Sequence, residues 1–324
     1  MEKYELAKKL IDEANTICIS GHIRPDGDAV GSMGAMYNFL KDMGKNVTWL
    51  LPTKTNRFDF MDGIDEAKLC FDGTCYDLLI SLDTSDEKRM NISSDDLNKA
   101  KKIIVIDHHK NNSIKGDLKL VDENAPANCE IVYKLIKNLG GKISKKIANY
   151  IYLGLMTDTG SFNYERTTSQ TYHIAGEMLD QGAEFAKICK NVNDTLSETR
   201  MKLIAYVISN MEVYMNGKIR ISVVDKDIQD RLNVTEDDVD GLVNYLRCIE
   251  GTVVSVYIRK IENGMYKFSI RAEEPIDCSV ICKMFGGGGH VRAAGFETNN
   301  LEETKQKLIV EIERLLNVEN NRNT

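Results

Sequence analysis

Acidic and imidazole side chains recur in four short clusters in the first half of the sequence. They are His22, Asp26 and Asp28 in GHIRPDGD, Asp83 in SLDTSD, Asp107, His108 and His109 in IDHH, and Asp158 in TDTG. Carboxylates and imidazoles with no sulfur among them suit Mn2+ or Mg2+ better than a structural zinc site. Four aspartates gathered in one crevice would repel and raise one another's pKa unless cations neutralised them. Two divalent ions supply enough positive charge to offset Asp26, Asp28, Asp83 and Asp158. Two such ions about 3.5–4 Å apart activate a water and stabilise both oxygens of an in-line phosphoryl displacement. Hydrolysis of a phosphate ester is the chemistry this set best serves.

Each cluster alone has a bland explanation. Pro25-Asp26-Gly27 is an ordinary turn sequence, and an isolated Asp83 or Asp158 reads first as a helix N-cap. Asp86 is most simply such a cap, and His173 sits mid-pattern in a predicted helix as a structural or solvated residue. What binds the clusters together is the elements around them. Short, β-branched-rich apolar runs at residues 16–20, 47–51, 78–82 and 103–106 read as buried strands. Helical patterns lie between and after them at 28–43, 130–139, 143–156 and 169–179, the first ending at Gly44. This alternation predicts an α/β domain with a doubly wound, mostly parallel sheet. Loops at the carboxyl ends of such strands line one crevice. Three clusters directly follow a predicted strand, and Asp158 follows the helix at 143–156, so all four would converge.

The second half has a different texture. Residues 187–213 look mainly helical, and two Asn-Gly pairs, Asn216-Gly217 and Asn263-Gly264, each separate strand-like runs as tight two-residue hairpin turns do. A helix at 279–285, the run Gly286-Gly287-Gly288-Gly289-His290 and an amphipathic helix at 301–316 complete a smaller α+β unit. The expected organisation is a domain at 1–190, a helical linker at 191–214, and a second domain at 215–324 facing the first across a cleft. Consecutive glycines are entropically costly and make sense where backbone N–H groups approach an anion closely. Lys283, His290, Arg292 and Arg271 could surround that point as a local positive patch.

The whole chain sets limits on the partner. It has 324 residues, 42% of them apolar and 28% charged, which fits two globular domains and excludes disordered or fibrous classes. The formal net charge of −7 is wrong for a protein that coats long nucleic acid, so a short or small substrate is expected. The first residues hold no apolar run of the ~7–15 residues that a leader needs, and no stretch approaches the ~18 of a membrane span. The eight cysteines include no Cys-x-x-Cys pair and read as reduced, mostly buried thiols of a cytoplasmic protein without membrane partners. Whether the chain dimerises is left open.

Taken together, the His22-x-x-x-Asp26-x-Asp28, Asp83, Asp107-His108-His109 and Asp158 motifs, with GGGGH-x-x-AAG at 286–295, resemble the DHH phosphoesterase superfamily. More closely they resemble its compact two-domain branch, the nanoRNase or bifunctional oligoribonuclease and 3′-phosphoadenosine 5′-phosphate (PAP) phosphatase type, and the resemblance covers essentially the whole chain. It implies a manganese-dependent hydrolase of very short RNA, of PAP, or of both. The alternative within the superfamily is a phosphodiesterase for cyclic di-AMP or its linear product pApA. By the resemblance, His22, Asp26 and Asp83 hold one metal, and Asp28, Asp83, His108 and Asp158 hold the other. Asp107 would fix an imidazole, and His109 would meet the scissile phosphate or protonate the leaving oxygen. Arg271, Gly286, Gly287, Gly288, Gly289, His290 and Arg292 would grip the rest of the nucleotide. Many relatives carry Lys after the GGGGH histidine, where this chain has Val291 and then Arg292, a difference that bears on nucleotide preference.

Overall fold

The alternating apolar runs and helical patterns become a parallel sheet in the computed structural model, which describes residues 2–51, 56–90 and 92–322. The chain divides into two units, residues 1–195 and 196–324. In chain order the first unit contains α1 (Glu2–Glu13), β1 (Thr16–Ser20), α2 (Gly27–Asp42), β2 (Asn46–Leu50), β3 (Leu78–Leu82) and α3 (Ser94–Leu97). It continues with β4 (Lys102–Asp107), β5 (Leu118–Val121), α4 (Asn128–Asn138), α5 (Lys145–Asp158), α6 (Ser169–Asp180) and α7 (Phe185–Cys189). The five strands are all parallel in the order β2-β1-β3-β4-β5. β5 was not expected. Its sequence LKLV alternates buried and half-buried side chains, as an edge strand should, and so lacks a continuous apolar run.

The two sheet faces are covered unequally. Ile17, Ile19, Leu78, Ile80, Ile104 and Ile106 pack into a core shared with α1, α2, α4 and α5. The opposite face, with Cys18, Leu79 and Val105, is closed by α3 and the flanking loops through Tyr76, Met90, Ile92, Leu97 and Ile114. Within the larger layer α2 and α5 run unusually close. A Cβ on Gly31 would stand 2.5 Å from the Tyr150 carbonyl, and one on Gly154 would stand 2.2 Å from Cys129 Sγ and 2.5 Å from Asp28 Oδ1. Only glycine fits such contacts, and their effect is to draw the first turn of α2 onto α5.

The second unit contains α8 (Glu198–Ser209), β6 (Glu212–Tyr214), β7 (Ile219–Val224), α9 (Lys226–Leu232), α10 (Glu236–Val239), α11 (Val243–Arg247), β8 (Val254–Lys260) and β9 (Tyr266–Ala272). It ends with α12 (Cys278–Met284), β10 (Gly288–His290), β11 (Ala293–Thr298) and α13 (Leu301–Arg322). Its mixed sheet has the order β10-β11-β9-β8-β7-β6, parallel only between β7 and β8, whose connection carries α9, α10 and α11. Residues 191–214 do not behave as one linker. The π-helical turn Lys190–Asp194 belongs to the first unit, while Leu203, Ile204 and Val207 of α8 pack with Val224, Leu242 and Leu246 of the second.

Both Asn-Gly pairs do sit between antiparallel strands, but neither forms a two-residue turn. Tyr214 pairs with Ile219 across a four-residue connection in which Met215, Asn216 and Gly217 all have positive φ. In the second hairpin the Ile261 N–H reaches the Met265 carbonyl at 2.8 Å, and only Gly264 is left-handed (φ 82°). That is a type I turn closed by a left-handed glycine. Half of the cysteines, Cys18, Cys129, Cys278 and Cys282, are buried, whereas Cys70, Cys75 and Cys248 are exposed. Among the described residues no helix is long and apolar enough to cross a membrane.

Candidate metal centre

The strand order reverses between β1 and β3, and a crevice opens at the carboxyl end of an open parallel sheet at that point. The segments leaving β1, β3 and β4 carry most of the acidic and imidazole residues. After β1, the Ile23 N–H bonds to the Arg89 carbonyl at 2.7 Å, which holds His22 over the end of β3. His22 Nδ1 lies 2.8 Å from the Ile23 carbonyl; because a carbonyl only accepts, Nδ1 carries the hydrogen and Nε2 is left to face the crevice. Asp26 caps α2, its Oδ1 accepting from the Asp28 and Ala29 N–H groups at 3.1 and 3.0 Å. Its Oδ2 stays 3.8 Å from His22 Nε2.

Asp28, in the first turn of α2, is fully buried. Its two oxygens accept from the Asn128 N–H at 2.5 Å and the Cys129 N–H at 2.9 Å, so it caps α4, whose own N-cap residue is an alanine. Asp83 follows β3 in a left-handed conformation (φ 54°) that turns its buried carboxylate into the crevice. Asp158 ends α5, far from a helix N-cap, while Asp86 does cap the short turn Glu87–Arg89. His173 is exposed, with Nδ1 on the Ser169 carbonyl.

These side chains form two groups joined through one residue. His22, Asp26 and Asp83 offer ligand atoms within 4.8 Å of one another, as do Asp28, His108 and Asp158. Asp83 links them: Oδ2 lies 3.7 Å from His22 Nε2, and Oδ1 lies 3.3 Å from His108 Nε2. His108 Nε2 is also 3.4 Å from Asp158 Oδ2 and 3.9 Å from Asp28 Oδ2. A third grouping, Asp83, His108 and His109, shares two of these members. Asp83 Oδ1 is buried and satisfies no hydrogen bond, an orphaned anionic oxygen that a cation would complete. With oxygen and imidazole donors only, the residues fit divalent cations of the Mn2+ and Mg2+ type.

The electrostatics carry the same message. Burial first, then the charge of Asp83, pushes Asp28 up to about 7; burial and the charge of Asp28 push Asp158 up to about 9. Burial disfavours a charged His108, yet the Asp83 carboxylate, with Asp28 and Asp158 behind it, raises the ring to about 10. Protons thus hold the place of cations. Asp26 moves the other way: burial opposes ionisation, but His22 and two backbone N–H groups hold it well below the usual carboxylate range.

His109 Nδ1 donates to Asp107 Oδ1 at 2.8 Å, leaving Nε2 unclaimed by Asp107. Asp107 is buried and kept ionised against that burial by His109 and by Asn112, whose Nδ2 donates at 2.7 Å. Asn112 was not foreseen; it also donates to the Thr84 carbonyl, tying the loops after β3 and β4 together. Nothing in the sequence separates it from its neighbour Asn111, since its role arises only when those loops meet.

In the second unit, strand register aligns His290, Ala293, Arg271 and Ser255 in one row across the sheet. Arg271 and His290 therefore rise from the same face, with a small alanine between them. Arg292 is one residue out of phase and is engaged elsewhere, with Nη2 2.6 Å from Glu274 Oε1 and Nη1 3.2 Å from the Ile276 carbonyl. The expected glycine loop is instead a helix cap followed by an edge strand. Gly286 (φ 79°) and Gly287 donate to the Lys283 and Cys282 carbonyls, the Schellman closure of α12. Gly287 and Gly289 lie so close to β11 that a side chain would collide with it, whereas Gly286 and Gly288 open onto free space. Lys283 is exposed on the last turn of α12.

Comparison with known proteins follows this layout. Residues 16–155 match the DHH family N-terminal domain and residues 216–318 match the DHHA1 domain. The chain is 31% identical over 309 residues to the bifunctional oligoribonuclease and PAP phosphatase NrnA of Thermus thermophilus, covering 93% of this chain and 90% of that one. The crystal structure of an exopolyphosphatase-related protein from Bacteroides fragilis superposes with a TM-score of 0.91 at 28% identity, covering 98% of each chain. RecJ of Thermus thermophilus in complex with Mn2+ shares the fold with a TM-score of 0.59 at 13% identity, over 97% of this chain and 55% of that one. The two linked ligand groups after β1, β3 and β4 and the two domain matches lead to one assignment: the chain belongs to the DHH phosphoesterase family.

Proposed function

We propose that the protein hydrolyses short nucleotide phosphoesters, degrading very short RNA, removing the 3′-phosphate of PAP, or both. The observation that carries this reading is the pair of ligand groups sharing Asp83, with its buried, unsatisfied Oδ1. His22, Asp26 and Asp83 would hold one divalent cation, and Asp28, Asp83, His108 and Asp158 a second, with Mn2+ the first choice and Mg2+ the alternative. Such cations, when bound, supply water activation and stabilise charge on the phosphate oxygens. Asp107 and Asn112 orient His109 so that Nε2 can bond the scissile phosphate or pass a proton to the leaving sugar oxygen. Arg271 and His290, on one sheet face, suit the remaining phosphate or base of the nucleotide. Arg292, tied to Glu274, would join them only by leaving that pair. The relationship to an oligoribonuclease and PAP phosphatase over nine-tenths of the chain supports this substrate class. Cytoplasmic placement belongs to the same proposal and rests on the free cysteines.

The test is a side-by-side panel of PAP, RNA dinucleotides and slightly longer RNAs, pApA, cyclic di-AMP and inorganic polyphosphate, with Mn2+ or Mg2+ and products followed by chromatography. Turnover of dinucleotides or PAP ahead of the others is expected, and Asp83→Ala should abolish it. Faster hydrolysis of cyclic di-AMP, pApA or polyphosphate would overturn the assignment.

A further inference from the structure

Arg166 belongs to none of the clusters above. It is exposed, on the segment between α5 and α6. Its Nη2 donates to two backbone carbonyls, Glu123 at 2.5 Å and Ala125 at 2.9 Å. The Ala125 carbonyl has a second donor, His108 Nδ1, at 3.1 Å. One oxygen thus uses both lone pairs, one on a ligand imidazole and one on Arg166.

The segment that offers these carbonyls lies between β5 and α4 and has no regular structure. It is anchored to the end of β4 by the Asp122 N–H on the Asp107 carbonyl at 3.1 Å. The Ala125 carbonyl fixes the His108 ring plane and, because it can only accept, keeps the hydrogen on Nδ1 and turns Nε2 toward Asp28, Asp83 and Asp158. A few residues on, the Asn128 and Cys129 N–H groups hold both oxygens of Asp28. One short stretch therefore orients two of the three members of the Asp28–His108–Asp158 group. Arg166 fastens that stretch to the chain leaving the third member, Asp158.

We propose that Arg166 is a positioning residue for the cation held by Asp28, His108 and Asp158, acting through the Ala125 carbonyl on the orientation of His108. This rests on reading the acidic cluster as a cation site. The sign of the effect separates it from simple electrostatics. A guanidinium near a cation site repels the cation, so removing it should tighten binding if charge were all that mattered. A lost positioning contact should weaken binding instead.

The experiment is titration of the metal-free full-length protein with Mn2+, following free Mn2+ by electron paramagnetic resonance, for wild type, Arg166→Met and Arg166→Lys. Wild type is expected to take up two equivalents. Arg166→Met should keep one near wild-type affinity and bind the other roughly 3–10-fold more weakly, less than the about 10–100-fold that follows loss of a direct outer partner of a ligating histidine, because the Ala125 carbonyl itself remains. Arg166→Lys, which keeps a donor for one carbonyl, should recover part of the loss and serves if the methionine variant folds poorly. Unchanged or tighter binding in both variants overturns the positioning role, as does a lower melting temperature with both affinities intact. A wild-type protein that binds no Mn2+ overturns the cation reading itself, a result distinct from either of these.

Discussion

At Asp83 two costs coincide, a left-handed backbone on a non-glycine residue and a buried carboxylate oxygen without a hydrogen bond. Each is of the order of 1–3 kcal/mol, so a side chain that merely capped a turn would be removed at a gain. A shared cation ligand explains both. The same logic fixes how cation binding depends on pH. Asp28, Asp158 and His108 are raised to about 7, 9 and 10 without cations, so each still binds protons near neutral pH. All three folded values lie above their unfolded ones, so the stability they lend is present in acid and is lost as pH rises toward 7 to 10. A cation must displace these protons. Mn2+ affinity should therefore rise, by about tenfold or more between pH 6 and pH 8.5, and the thermal shift that Mn2+ produces should grow over the same range. Calorimetric titration at both values checks this, and a flat profile would count against the proton-for-cation exchange. Every residue of this candidate centre was legible in the sequence, because aspartate and histidine beside a strand or helix end carry their chemistry in their identity. Asn112, Ala125 and Arg166 were not, because a backbone carbonyl has no residue type and its donors are chosen only by the folded loops.

Elements bring those residues to their distances, and the approach of α2 to α5 matters most. Asp28 lies on one helix and Asp158 at the end of the other, and Gly31 and Gly154 leave no room for a methyl between them. In an exposed helix Gly→Ala gains up to about 1 kcal/mol, but overpacking a close contact costs roughly 1–3 kcal/mol. Gly154→Ala should therefore destabilise the protein and, by displacing the Asp28 carboxylate, weaken Mn2+ binding. Gly176→Ala, on α6 with nothing within 4 Å of the added methyl, should be neutral or stabilising. Equilibrium denaturation of the two variants beside wild type separates them, and equal effects would refute the close-packing account. Strands β1 and β3 were readable to the residue, because a strand buried on both faces is a continuous apolar run. β5 was not, since an edge strand mixes its faces. Asn-Gly located both hairpins without fixing their turns, because register, rather than the dipeptide, decides how many residues the connection holds. The glycine run is ambiguous in the same way: most of its glycines serve a helix cap and close contacts with β11, uses that a sequence does not separate from anion binding.

For the whole molecule, the proposed chemistry and the proposed grip on substrate belong to different units. All ligands of the candidate cations come from residues 22–158, whereas Arg271 and His290 stand on the sheet of the second unit. The two-unit organisation was foreseen from chain length and the change of texture, but α8 looked like a connector because an amphipathic helix does not reveal which core it will join. A net charge of −7 gives long nucleic acids no general attraction, so affinity must come from a few local contacts. That makes the contribution of Arg271 separable. If it holds a distal phosphate, removing a charge-assisted contact worth about 1.5–3 kcal/mol should weaken dinucleotide and PAP binding about 10–100-fold. For a small aryl phosphate, which has no distal phosphate for Arg271 to hold, hydrolysis should not change, nor should Mn2+ binding. Arg271→Ala should therefore raise KM for nucleotides and leave aryl phosphate turnover and both metal affinities at wild-type values. Steady-state kinetics on both substrates with a parallel Mn2+ titration makes the comparison. Unchanged nucleotide KM would remove Arg271 from the binding face, and a parallel fall in aryl phosphate turnover would show that the two units do not divide the work in this way.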